Sequence, residues 1–161
     1  MLEKQWFEKW YTTEDPWKYK STTDDLTRKN KLIAILNKYG PFTRALDIGC
    51  GEGYVTVDIP AKELDGIEIS DLAASRLPST IRRIASPVGT YDLVMTTGTL
   101  YKEYDHAQIA DWISSCATKY VLVAGVKNWL IDYSFGTLLE TYEFEYRSHL
   151  TQQVLVYEVS A

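Results

Sequence analysis

The stretch Ala45-Leu46-Asp47-Ile48 runs straight into Gly49-Cys50-Gly51-Glu52-Gly53, three glycines at alternate positions behind a short apolar segment. Glycine enters left-handed backbone conformations without a steric penalty and lets other groups approach its main chain closely. A strand that ends this way can turn sharply, and the amides that open the next helical turn become free donors for a ligand. Such a junction suits the carboxyl edge of a parallel sheet. The remaining sequence must then supply strands beside residues 45–48 and crossover segments between them.

Leu64 to Ile69, Ile81 to Ala85, Tyr91 to Thr97 and Tyr120 to Val126 read as four further strands. Helical stretches separate them, short at Tyr54 to Ile59 and Asp71 to Leu77, longer at Ala107 to Ala117. Ahead of the sheet, Leu26, Leu32, Ile33, Ile35 and Leu36 keep a helical period that predicts a helix over 24–38. Thr22 and Asp25 have capping-box spacing at its start, and Gly40-Pro41 ends it. Leu2, Trp6 and Trp10 share the face of an earlier helix that Glu14-Asp15-Pro16-Trp17 stops. Near the C-terminus, Tyr142, Phe144 and Tyr146 alternate with charged residues, and Val154, Val156 and Val159 alternate likewise. That pattern predicts an antiparallel hairpin with His149 in its turn. Five parallel strands closed by a hairpin make an α/β sheet of seven strands, and 161 residues suit a single domain, 1–161.

A net charge of −5 sets the surface against polyphosphates, so nucleic acid is not expected as a partner. No segment approaches the ~18 apolar residues of a membrane span and the N-terminus has no apolar leader core, so the expected location is cytoplasmic, without membrane contact. Cys50 and Cys116 are the two cysteines, and a bridge at Cys50 would distort the glycine turn, so both read as reduced thiols. No Cys/His cluster has metal spacing, and no metal is expected.

Glu68 closes the second strand, 19 residues beyond Gly49. Adjacent strand ends in a parallel sheet lie about 5 Å apart, so a carboxylate there can accept hydrogen bonds from both hydroxyls of a ribose held at the glycine loop. The glycine spacing is G-x-G-x-G behind Asp47, whereas a dinucleotide site favours G-x-G-x-x-G and needs room for a second half. ALDIGCGEGYVT, the acidic LDGIEIS, YDLVMTTG and the final hairpin together resemble the Class I S-adenosylmethionine-dependent methyltransferases over most of residues 40–160.

That resemblance implies a Rossmann-like seven-stranded methyltransferase sheet and S-adenosyl-L-methionine as cofactor. It implies that Gly49, Cys50 and Gly51 approach the methionine portion, that Asp47 holds its amino group, that Glu68 binds the ribose hydroxyls and that Ile69 lies beside the adenine. Many relatives carry an acid after the third strand for the adenine amino group; here the stretch is Ala85-Ser86-Pro87, which leaves Ser86 or backbone groups for that task. The fourth strand opens toward cofactor and substrate from Thr96 to Tyr101. DPWKY (Asp15 to Tyr19) and GTLYKEYDH (Gly98 to His106) resemble the nodulation N-methyltransferase group and its small-molecule relatives. An aromatic N-terminal segment covers the cofactor in that group, which gives residues 1–20, and Trp17 and Tyr19 in particular, a lid role. Core packing is the competing use for those rings.

Methyl transfer from a sulfonium is an in-line displacement that chiefly needs donor and acceptor held close and aligned. An acceptor ammonium or hydroxyl must also lose a proton, and His106, Tyr101, Tyr104 and Asp105 are candidates because they follow the fourth strand at the open sheet edge. The expected activity is methylation of a small-molecule N or O acceptor such as a saccharide, an amine or another metabolite. The alternative is a catalytically silent protein of the same fold that binds the nucleotide or a protein partner.

Overall fold

The computed structural model describes residues 1–160. Among the described residues there are four α-helices: α1 (Lys4–Trp10), α2 (Thr23–Tyr39), α3 (Asp71–Ser75) and α4 (His106–Cys116). Seven strands follow in chain order: β1 (Phe42–Ile48), β2 (Ala61–Ile67), β3 (Ile81–Ile84), β4 (Tyr91–Thr97), β5 (Ala117–Val126), β6 (Thr137–Tyr146) and β7 (Leu150–Glu158). They form one sheet in the order β3-β2-β1-β4-β5-β7-β6. The first five are parallel, and β7 runs antiparallel to both β5 and β6. Two reversals return β6 to the direction of β1. Its end at Tyr146 therefore reaches the same sheet edge as the glycine loop.

The inner stretches of the central strands are buried without alternation because both faces of the sheet are covered, as parallel strands require. On one face Leu32, Ile35 and Leu36 of α2 pack over Ala45, Leu93, Met95 and Leu122. On the other, Ala110, Ile113 and Cys116 of α4 pack over Leu46, Ile48, Val94 and Val121.

Several boundaries differ from the sequence pattern. β1 begins at Phe42 rather than Ala45, since the Asp92 carboxylate accepts the amides of Thr43 and Arg44, each at 2.8 Å, and extends the strand. β5 likewise begins at Ala117. β2 ends at Ile67, so Glu68 and Ile69 lie just past it; the Glu68 carboxylate accepts two main-chain amides there and bends the chain off the sheet. Residues 54–59 form only a 3-10 turn, Thr56–Asp58, because Pro60 leaves too short a run for an α-helix. The capping box also fails. Thr22 makes no side-chain cap and donates its hydroxyl to the Lys18 carbonyl at 2.7 Å, while Asp25 is buried among other partners.

Gly66 of β2 lies beside Asp47 of β1, where a Cβ would come within 2.7 Å of Cys50 Sγ. Gly66→Ala is expected to lower stability in urea unfolding by about 1–3 kcal/mol, the usual range for overpacking a filled interior. An unchanged midpoint would show that the loop shifts without strain.

Candidate functional site

The floor of the site is the β1 edge. Gly49 and Gly51 adopt φ of 80° and 58°, conformations that side chains rarely tolerate. The amides of Gly49 and Cys50 donate to the Ile67 carbonyl at 2.8 and 3.1 Å, which fixes the loop against the end of β2. Asp47, the penultimate residue of β1, is buried, and its Oδ2 accepts the Thr56 hydroxyl at 2.7 Å. Its Oδ1 is buried with no partner. Burial pushes the Asp47 carboxyl up to about 7, with the Thr56 bond opposing and the Glu68 charge adding to the rise. Glu68 is held more fully: Oε1 accepts the Gly51 amide and Oε2 the Ser70 amide, both at 2.9 Å. Burial raises its carboxyl as well, against those two amides.

Above this floor lies a cavity of about 730 Å³. Asp47, Gly49, Cys50, Gly51, Glu68 and Ile69 all line it, as do Trp17 and Tyr19. The N-terminal segment forms the roof and is fastened at several points. Arg76 donates to the Tyr11 carbonyl at 2.8 Å and to Glu52 at 2.9 Å, and Glu52 accepts the Asp15 amide at 2.9 Å. The Leu2 amide reaches the Glu103 carbonyl at 2.6 Å. Phe7 packs on Tyr104 with ring centroids 5.6 Å apart, and Tyr19 stacks on Tyr54 at the same separation.

Not every residue singled out from the sequence reaches this space. Thr96 is buried beneath it and donates to the Ile48 carbonyl at 2.9 Å, bracing β4 against β1, while Thr97, Gly98 and Thr99 form the wall. Ala85 lines the cavity and Ser86 does not. Of the residues after β4, Tyr104 and Asp105 line it, whereas Tyr101 and His106 do not. The Tyr101 hydroxyl accepts the Val126 amide at 2.8 Å, and His106 shares a 2.7 Å hydrogen bond with the Tyr133 hydroxyl. Tyr101 thereby ties its loop to β5, and His106 ties the start of α4 to the β5–β6 connection.

Tyr11 and Arg28 are among the lining residues to which the sequence motifs assign no role. Tyr11 is buried, and its hydroxyl, which accepts from Trp17 Nε1 at 3.0 Å, stands 3.1 Å from where a Cβ on Gly51 would be. Arg28 of α2 is buried against the cavity with its Nε unpartnered and its guanidinium 5.0 Å from the Tyr19 ring centroid. The signal for Arg28 was available. Positions 25, 28, 32 and 36 recur at helical spacing, so Asp25 and Arg28 continue the buried stripe of Leu32 and Leu36.

No family model and no curated protein matches the sequence. Among solved structures, the chain is similar to the N-methyltransferase NodS of Bradyrhizobium japonicum WM9 in complex with S-adenosyl-L-homocysteine: TM-score 0.84, 18% identity, and 98% of each chain covered. The fold is that of the Class I methyltransferases. Magnesium protoporphyrin IX methyltransferase (ChlM) of Synechocystis PCC 6803 with bound S-adenosylmethionine shares it, with TM-score 0.76, 14% identity, 99% of this chain and 98% of that chain covered. An RNA methyltransferase candidate from Pyrococcus horikoshii shares it too, at TM-score 0.62, 13% identity, 99% of this chain and 98% of that one. Two crossovers of this chain are short: the β1 to β2 connection holds only the 3-10 turn, and α3 has five residues.

The raised carboxyl of Asp47 has a stability consequence. Its folded pKa of about 7 lies above the ordinary value near 4, so the folded state holds a proton that the unfolded chain releases, and the contribution of Asp47 to stability falls as pH rises from about 4 to about 7. Asp47→Asn removes that dependence. The variant is expected to melt above the wild type at pH 8, with the difference closing toward pH 4 in a thermal unfolding series; parallel curves would refute the assignment.

Proposed function

We propose that the chain is an S-adenosylmethionine-dependent methyltransferase acting on a small-molecule N or O acceptor. One observation carries the cofactor reading: a buried acceptor without a donor, Asp47 Oδ1, and a buried donor without an acceptor, Arg28 Nε, belong to residues lining the same cavity. Unmet buried polar groups of opposite character are costly unless a ligand satisfies both. An amino acid's ammonium and carboxylate form the matching pair, and Glu68 at the next strand end offers oxygen lone pairs to ribose hydroxyls. S-adenosylmethionine joins these groups in one molecule. When bound, it supplies a sulfonium-activated methyl group.

The protein's part is orientation and the exclusion of water. Asp47 and Arg28 anchor the two ends of the amino-acid group, Glu68 the sugar, and Ile69 with the Ala85 main chain the base. Residues 1–20 act as the lid, with Trp17 and Tyr19 closing over the glycine loop. Burial, reinforced by the Tyr19 phenol, pushes the Tyr104 phenol up to about 12, so it stays protonated near neutrality and orients an acceptor by donating a hydrogen bond rather than by removing its proton. Asp105 is the acidic group after β4 that lines the cavity.

A roofed cavity of this volume suits a compact acceptor. A fold shared with an RNA methyltransferase candidate carries no acceptor class of its own. Both cysteines are free and buried, in keeping with a reducing compartment, the cytosol, and no helix among the described residues is long and apolar enough to cross a membrane. The silent alternative draws on one observation, the commitment of Tyr101 and His106 to other partners.

Calorimetry with S-adenosylmethionine tests the cofactor reading, and Glu68→Ala is expected to weaken binding about tenfold or more through the lost charge-assisted hydrogen bonds. No detectable binding by the wild type would end it. Release of S-adenosylhomocysteine in the presence of candidate amines, sugars and phenols separates an enzyme from a silent binder.

A further inference from the structure

Three charged side chains from opposite ends of the sequence meet beneath the roof. Asp25 is fully buried in the first turn of α2, and its natural partner is Arg28, one turn along the same helix. That pairing is incomplete: Arg28 Nε stands 3.6 Å from Asp25 Oδ1, outside hydrogen-bond range, and has no other partner. The carboxylate is satisfied instead by the β6–β7 turn. Tyr146 donates its hydroxyl to Oδ1 at 2.6 Å, and Arg147 donates Nε to Oδ2 at 2.9 Å and Nη2 to the same oxygen. Arg147 Nη2 also donates to the Trp17 carbonyl at 2.6 Å, tying the hairpin to the roof.

The chain is held in a costly shape to achieve this. Arg147, Ser148 and His149 have φ of 21°, 42° and 70°, and consecutive residues with side chains keep such conformations only where their surroundings fix them. One aspartate faces two arginines: Arg147 takes its hydrogen bonds, and Arg28 keeps only the longer ion pair at 3.6 Å, with no hydrogen bond at its Nε.

We propose that Arg147 is a positioning residue for the ligand's carboxylate: by occupying Asp25 it leaves the Arg28 guanidinium available to the cavity. This rests on the cofactor reading above. Without Arg147, the buried aspartate has one cation left to draw on, and Arg28 closes the remaining gap and turns its charge inward.

The test compares S-adenosylhomocysteine with 5′-methylthioadenosine, which lacks the amino-acid group, by calorimetry on the full chain. Arg147→Gln is expected to weaken S-adenosylhomocysteine about tenfold while leaving methylthioadenosine within about twofold, the scale of one charge-assisted contact. Arg147→Lys, which keeps the charge, retains most of the affinity. The double variant Arg147→Gln, Asp25→Asn regains it, because the new amide has no charge with which to draw Arg28. A loosened roof would weaken both ligands equally and would not recover in the double variant; either result, or an unaffected Arg147→Gln, overturns the proposal while leaving the cofactor reading in place. Wild-type protein that binds neither ligand overturns both.

Discussion

A carboxylate desolvated at the end of a central strand sets the terms for everything around it. Asp47 lies between β2 and β4, with Thr56 as the one hydrogen-bond partner of its side chain, so its second oxygen is buried and unmet. Burying a charge this way is tolerable only because the group can hold a proton or meet a cation. The glycine turn, the close packing of Cys50 on Gly66 and the bend at Glu68 all crowd the end of β1 where that oxygen lies. Were the loop to carry side chains, Tyr11 and Thr99 could not approach it, and the cavity would open toward water.

The sheet was legible because its physical signals are local and strong. The apolar runs at 93–95 and 120–126 can be buried on both faces, and the alternation from Tyr142 to Arg147 can be buried on one. Boundaries were less legible, since they depend on side-chain partners outside the strand: Asp92 extends β1, and the amides of Gly51 and Ser70 draw Glu68 off the end of β2 at Ile67. The cap at Thr22 failed for the same reason. Asp25 has the spacing of a capping residue, but a tyrosine and an arginine more than a hundred positions away claim its carboxylate.

At the site, the main-chain and strand-end residues were readable from the glycine and acidic motifs, while the residues after β4 were only partly so. His106 and Tyr101 had the right position along the chain and the right chemistry, yet Tyr133 and the Val126 amide engage them on other faces of their loop. Arg28 shows the converse. A cation inside an apolar stripe is an anomaly that periodicity exposes, and attention to hydrophobic residues alone passes over it.

Because β6 runs in the direction of β1, the last hairpin delivers its turn to the edge where the first hundred residues build the pocket. The contact between Arg147 and the Trp17 carbonyl spans 130 positions. Such long-range closure is formed late and slowly in a folding chain. During synthesis a nascent chain can assemble the glycine loop and its neighbours well before residue 147 has emerged, yet until then the roof lacks its tie at the Trp17 carbonyl. The full fastening of the roof is thus a property of distant parts of the chain together rather than of the glycine motif alone.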